Sequence, residues 1–223
     1  EEIEIFGTQH TLDRVYDLIF GVVLRGFRGK PPVILHEIQP GTFYETEKFS
    51  ITAFPVEHRG SSSLGYRFEE HSRRPFLPEK AETLNIPPGP WRRDLVAGQS
   101  IHLPDGRQID PDQVLGAPRR GTSLVIIGDT GSVDKLLPYV ENADALVIES
   151  TYINAEADLA ERFDHLTAEQ AATLAKKANV GQLFLTHLSR RYRERDVLDE
   201  AQAVYPGVHV ARDFDRFLIK HDS

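Results

Sequence analysis

The chain has no cysteine. No disulfide framework and no thiolate metal site can exist, so any metal must be held by imidazole and carboxylate. Long apolar runs are scarce too. The longest, from about Tyr16 to Leu24, falls far short of the ~20 residues a helix needs to cross a bilayer. No charged, apolar and small-residue succession opens the chain as a secretory signal would, and the cytoplasm is the expected location. Positive charge is in deficit: 26 Lys and Arg stand against 34 Asp and Glu, for a formal net charge of −8. That balance argues against a protein that coats nucleic acid with its whole surface.

What is present suits a globular fold. The 223 residues are 40% apolar and 27% charged, enough for one domain with a sizeable core and room for a small second module. Basic residues gather locally in three places: Arg73, Arg74, Lys80, Arg92 and Arg93; Arg119 and Arg120; and Arg190, Arg191, Arg193 and Arg195. Taken alone, each patch reads as a solvated loop.

Patterning divides the chain. Leu12, Val15, Tyr16, Ile19 and Val23 recur at helical spacing behind Thr11, which predicts a helix over 11–24. Strands are expected at 33–38, 49–56 and 64–68, the second alternating Phe49, Ile51 and Ala53 with Ser50 and Thr52. From 71 to 121 the sequence turns polar and rich in proline, broken by 101–103 and the turn signal Asp105-Gly106. So little periodicity predicts no core there, only an excursion in the form of a long loop or a protruding arm. Aliphatic strands are then expected at 124–127, 145–148 and 183–185. Helices should run over 132–140, from the capping pair Thr167 and Gln170 to 178, and over 196–204. Strand-like runs at 209–211 and 217–219 close the chain. Strands first and alternating strands and helices later point to an α/β layered fold with helices outside sheets.

Three of the aliphatic strands end abruptly in a titratable residue: Asp129, Glu149 and His187. A fourth strand ends in His58. Each alone is commonplace, the aspartate as a turn or cap and the histidines as loop or core residues. Four on four neighbouring strand ends converge on one sheet edge, where α/β proteins place their sites. Imidazole and carboxylate without thiolate suit zinc or manganese in a hydrolytic centre.

Several motifs then follow one another in register. They are Pro55-Val56-Glu57-His58, Gly65-Tyr66-Arg67-Phe68-Glu69-Glu70, Ile86-Pro87-Pro88-Gly89-Pro90, Gly128-Asp129-Thr130, Glu149-Ser150-Thr151-Tyr152, the run His165 to Ala172, and Leu185 to Tyr192. Over nearly its whole length the chain resembles RNase Z, the tRNA 3′-processing endonuclease of the metallo-β-lactamase superfamily. The resemblance implies the four-layer αββα sandwich of that superfamily with a protruding flexible arm. It also implies that His58 ligates a first zinc, that Asp129 bridges two zincs (manganese being possible) and that His187 ligates the second. Such a pair activates water and stabilises phosphoryl oxygens during in-line displacement. Glu149 and His165 match the pair that assists the leaving group, Glu149 orienting the imidazole and His165 delivering a proton to the departing 3′-oxygen. The implied products are a tRNA with a 3′-hydroxyl and a trailer with a 5′-phosphate.

In the same reading, residues 71–98 are the arm that grips the tRNA body. Arg73, Arg74, Lys80, Arg92 and Arg93 would contact phosphates without reading sequence, beside the motif Pro88-Gly89-Pro90. Arg190 and Arg191 follow His187 closely and are assigned to acceptor-stem or trailer phosphates. Trp91 is expected to pack at the arm base. Residues 1–70 and 99–223 would form the two parts of the core. A homodimer, with the arm of one subunit serving the other's site, is also implied.

One departure stands out. The superfamily's His-x-His-x-Asp-His is missing, and before His58 there are only His10 and His36, without its spacing. The opening residues 1–7 resemble the strand and turn that follow that motif, so the expectation is a chain that starts partway through the domain. Three ligands cannot fill two zinc shells, and weak metal binding with no meaningful cleavage is expected of these residues alone. The alternatives are another phosphodiesterase of the same superfamily, and a catalytically inactive tRNA-binding fragment.

Overall fold

The computed structural model describes residues 2–26, 29 and 33–220. Glu1, the first residue of the expected opening strand, lies outside them. In chain order the elements begin with β1 (Ile3–Gly7), α1 (Gln9–Tyr16), β2 (Val33–Glu37), β3 (Gly41–Glu45), β4 (Phe49–His58) and β5 (Ser61–Glu70). Next come α2 (Pro78–Thr83), α3 (Pro90–Val96), β6 (Ile101–His102) and β7 (Gln108–Ile109). The second half holds β8 (Ser123–Ile126), α4 (Leu137–Val140), β9 (Ala145–Glu149), α5 (Ala157–Phe163), α6 (Ala168–Lys177), β10 (Gln182–Thr186), α7 (Glu194–Val204) and β11 (Val208–Val210). The chain divides into two compact units, Glu1–Glu69 with Thr122–Ser223, and Glu70–Gly121.

The larger unit is organised by a seven-stranded sheet of order β11-β10-β9-β8-β5-β4-β3. Strands β8, β9, β10 and β11 pair in parallel, while β5 is antiparallel to β8 and β3 to β4. The parallel strands are short aliphatic runs because both faces are covered: Val125, Leu146, Ile148, Leu183 and Leu185 are all buried. One cover is α6, which buries Ala168, Ala171, Ala172, Leu174 and Ala175. Alanine there is both a strong helix former and small enough for close approach of helix to sheet. The expected capping box starts α6: Gln170 N donates to Thr167 Oγ1 at 3.2 Å and Thr167 N to Gln170 Oε1 at 2.8 Å. Helix α7 adds Val197 and Ala201 to the same core. A separate two-stranded sheet pairs β1 with β2 in parallel.

This topology fixes where functional residues can gather. Strands β8, β9 and β10 run the same way, so the residues just beyond them emerge on one edge. Strand β4 is joined to its sheet neighbour β5 by the turn Arg59-Gly60 and runs in the direction of β8, which brings its last residue, His58, to that edge.

The smaller unit differs from expectation. Residues 70–121 do build a core: Ala81, Ile86, Leu95, Ile101, Leu103, Ile109 and Val114 are buried together, with Phe76, Leu84 and Trp91 packed against them. Their apolar residues are spread over two helices of six and seven residues and a hairpin of two-residue strands. No element is long enough to show a period. Each helix begins with proline in its first turn, where the missing N–H costs nothing. The turn at Asp105-Gly106 is where the sequence places it, between β6 and β7.

Three further differences have local causes. Helix α1 starts at Gln9 rather than Thr11, and Asp17–Val23 continues it as wider π-helical turns. The helix expected over 132–140 is reduced to Leu137–Val140, because Ser132 Oγ accepts from Asp134 N at 3.2 Å and holds that stretch in a turn. Residues 217–219 form no strand. Phe217 instead packs on Phe184, with ring centroids 4.5 Å apart. No helix among the described residues is long and apolar enough to cross a membrane.

Candidate metal and proton-transfer site

The sheet edge gathers the expected residues of the larger unit. One donor atom from each of His58, Asp129 and His165 lies within 4.8 Å of the other two. His187 Nε2 is 3.6 Å from Asp129 Oδ1. The His165 ring lies near both other imidazoles, its centroid 5.0 Å from that of His58 and 5.3 Å from that of His187. Asp129 and His187 are about half exposed, so the cluster opens to solvent on one side. A divalent cation such as zinc or manganese fits this donor set of imidazoles and one carboxylate.

Behind the cluster lies Glu149, fully buried. Its Oε1 accepts from His165 Nδ1 and from Thr130 N, both at 2.8 Å. Its Oε2 accepts from Thr151 Oγ1 at 2.6 Å, Leu166 N at 3.1 Å and Thr151 N at 3.3 Å. Five donors thus converge on one carboxylate, which meets the condition for burying it. With Nδ1 of His165 committed to Glu149, Nε2 is the nitrogen left for chemistry. Backbone bonds tie the loops together: Tyr152 N to Leu166 O at 3.0 Å, Ala168 N to Tyr152 O at 2.9 Å and Ser150 N to Thr186 O at 3.0 Å.

His58 is oriented by a residue that sequence reasoning missed. Its Nδ1 donates to the backbone carbonyl of Asp164 at 2.8 Å, leaving Nε2 for the cluster. Asp164 ends α5 in the left-handed region, with φ 63°, and its carboxylate accepts from Arg59 N. Gly131 makes room for it, since a Cβ there would lie 1.9 Å from Asp164 Oδ1. Thr130 and Thr151 were missed as well. Thr130, inside Gly-Asp-Thr-Gly, was visible as part of a motif, but Asp164 acts through its backbone and carries no signal by residue type.

No protein-family model matches the chain. Individual relatives do. Two proteins named ribonuclease Z from Bradyrhizobium are each 40% identical to it: that of B. diazoefficiens over 215 residues, 96% of this chain and 71% of the relative, and that of strain ORS 278 over 217 residues, 97% and 72%. The chain belongs to the ribonuclease Z family. Solved structures agree on the fold at lower identity. A metallo-β-lactamase fold protein from Bacillus subtilis superimposes with TM-score 0.60 at 18% identity, covering 95% of this chain and 63% of that one. Human tRNase Z, short form, gives 0.60 at 20% identity, covering 99% and 69%. A zinc-bound protein from Methylobacterium extorquens gives 0.53 at 16%, covering 95% and 61%. The architecture is therefore the metallo-β-lactamase fold.

The residues expected to contact substrate fall into two sets. Three are committed within the chain. Arg74 pairs with Asp112 and donates to Gly116 O at 2.8 Å. Arg92 donates to Ile86 O at 2.6 and 3.0 Å and lies over the Phe76 ring. Arg191 makes a two-pronged ion pair with Glu156 at 2.7 and 3.1 Å. That pair holds the Glu156 carboxyl below the usual carboxylate range, chiefly through the hydrogen bond from Arg191. Burial, reinforced by a hydrogen bond to the same glutamate, pushes the Tyr192 hydroxyl up to about 12. By contrast Arg73, Lys80, Pro88, Gly89, Pro90, Arg93 and Arg190 are exposed, and Gly89 caps α3 at φ 132°.

Proposed function

We propose that these residues form the metal-holding and proton-delivering part of an endoribonuclease that removes the 3′ trailer from precursor tRNA. The observation that carries this is the convergence of His58, Asp129, His165 and His187 on one sheet edge, with Glu149 buried behind His165, in a chain of the ribonuclease Z family. In this reading His58, Asp129 and His187 would hold zinc or manganese, which polarises the phosphoryl group and activates water. His165 Nε2 gives its proton to the 3′-oxygen as the bond from that oxygen to phosphorus breaks. The tRNA then carries a 3′-hydroxyl, and the phosphate leaves on the 5′ end of the trailer. Glu149 holds the imidazole so that Nε2 faces the departing oxygen. Exposed Lys80, Arg93 and the Pro88-Gly89-Pro90 turn grip the tRNA body, and Arg190 meets phosphates near the cut. A homodimer acting in the cytoplasm belongs to the same proposal.

The test is end-mapping of precursor tRNA incubated with the full-length protein and saturating zinc or manganese. A 3′-hydroxyl and a 5′-phosphate, formed about 100-fold or more slowly by His165→Ala and His187→Ala, support the reading. Ends of another kind, or rates equal to wild type in both variants, sink it. The geometry also allows His165 to be a ligand, because its donor atom lies with those of His58 and Asp129. Metal content of His165→Ala decides: an unchanged value keeps His165 as proton donor.

A further inference from the structure

Within the smaller unit, Arg73 and Arg119 face each other as an isolated antiparallel pair. Their backbones exchange both hydrogen bonds, Arg73 N to Arg119 O at 3.0 Å and Arg119 N to Arg73 O at 2.8 Å. Residues directly opposed in this way have Cα atoms about 5.5 Å apart and project their side chains from one face. Two guanidiniums, charged at every working pH, are therefore rooted side by side. Like charges so placed oppose folding unless something negative lies between them.

Nothing in that unit relieves the pair. Arg74, Arg92 and Arg107 each spend their guanidinium on a carboxylate or carbonyl of the unit, but no ion pair or hydrogen bond engages the guanidinium of Arg73 or Arg119 among the described residues. Both are exposed, and both line an open cleft of about 900 Å³. The acidic residues of that cleft are engaged elsewhere. Asp112 pairs with Arg74, and Asp110 accepts from Ser100 at 2.6 Å and Gln108 at 3.0 Å.

We propose that Arg73 and Arg119 clamp one backbone phosphate of an RNA. Each planar guanidinium fork can meet a non-bridging oxygen, and the shared anion removes the repulsion between the two. The openness of the cleft favours a polymer, whose chain must enter and leave on either side of the gripped phosphate. Of the two residues, Arg119 lies outside 71–98, so the clamp extends the nucleic-acid surface beyond the segment that the sequence marks. The inference rests on the ribonuclease reading for its choice of RNA.

The test is the salt dependence of binding between the full chain and an unmodified precursor-tRNA transcript, with metal chelated so that cleavage does not intervene. From about 50 to 200 mM salt, Arg73→Gln and Arg119→Gln should each lower the slope of log affinity against log salt by about 0.7–0.9, as loss of one phosphate contact does. Both variants keep the backbone bridge. In phosphate-free buffer they should melt at or above the wild-type temperature, because the repulsion is gone. Arg119→Lys keeps the charge and should keep the slope while losing affinity. Arg216→Gln, an exposed arginine of the larger unit, should leave the slope unchanged. Slopes equal to wild type in both glutamine variants, an equal drop in Arg216→Gln, or a melting temperature below wild type would overturn the clamp. If the wild type cleaves precursor tRNA while the slopes stay equal, the clamp alone falls. If the wild type binds no tRNA, the ribonuclease reading falls with it.

Discussion

Replacing Glu149 by Gln changes one atom and should be among the costliest conservative substitutions in the chain. The carboxylate has two donors on Oε1 (His165 Nδ1 and Thr130 N) and three on Oε2 (Thr151 N, Thr151 Oγ1 and Leu166 N). An amide offers one oxygen. Its better orientation turns that oxygen to the Oε2 side and its NH₂ toward His165 and Thr130. His165 can adapt by accepting through Nδ1, but the Thr130 N–H meets another donor in a fully buried place. A stranded buried donor costs about 1–3 kcal/mol, and the remaining bonds lose their charge assistance. We expect a loss of about 3–5 kcal/mol, against a total stability of about 5–15 kcal/mol. At about 2–4 °C per kcal/mol for a domain of this size, the metal-free protein should melt roughly 6–20 °C lower. Calorimetry or a circular-dichroism melt reads this directly. If Glu149→Gln melts within about 2 °C of wild type, the account of Glu149 as the hub of the loops is refuted.

Other outcomes follow from the same geometry. Gly131→Ala drives a Cβ into Asp164 and so displaces the carbonyl that holds His58, which should weaken zinc about tenfold in a chelator-competition titration. At Asp164, in the left-handed region, urea midpoints should rank Asn close to wild type, then Gly, with Ala lowest by about 1–2 kcal/mol. The Arg191–Glu156 pair lowers the carboxyl's affinity for protons, so its stabilisation is present above the ordinary glutamate range and is lost as pH falls through the depressed value. The melting difference between wild type and Glu156→Gln should therefore persist at neutral pH and close only below about pH 4. Replacing Glu70–Gly121 by a short linker should abolish precursor-tRNA cleavage while sparing a small phosphodiester, and equal loss on both substrates would count against substrate gripping by that unit.

Much of the site was legible because its signal is local. An aliphatic strand buried on both faces looks the same in the sequence wherever it lies, and the residue that breaks it must lie at its end. Hence Asp129, Glu149 and His187 stood out, as did the capping pair of α6. Residues 70–121 were misread as coreless because a core assembled from several short elements leaves no periodicity in any one of them. Substrate-facing arginines were identifiable by type but not by availability. Arg74, Arg92 and Arg191 look like Arg73 and Arg190 in the sequence, yet carboxylates and carbonyls up to dozens of residues away engage them.

The sequence by itself determined the strand ends that bear metal-capable side chains, the absence of thiolate, and a motif order that resembles RNase Z. Only the tertiary structure decided which nitrogen each histidine offers. For His58 that is set by the carbonyl of Asp164, and for His165 by a carboxylate sixteen residues earlier. The physical reason is that an imidazole's free nitrogen is defined by what the other nitrogen touches, and that partner is fixed by packing between elements. The same holds for the opposed arginines: neither Arg73 nor Arg119 is unusual alone, and only the pairing of two distant backbones makes them one feature.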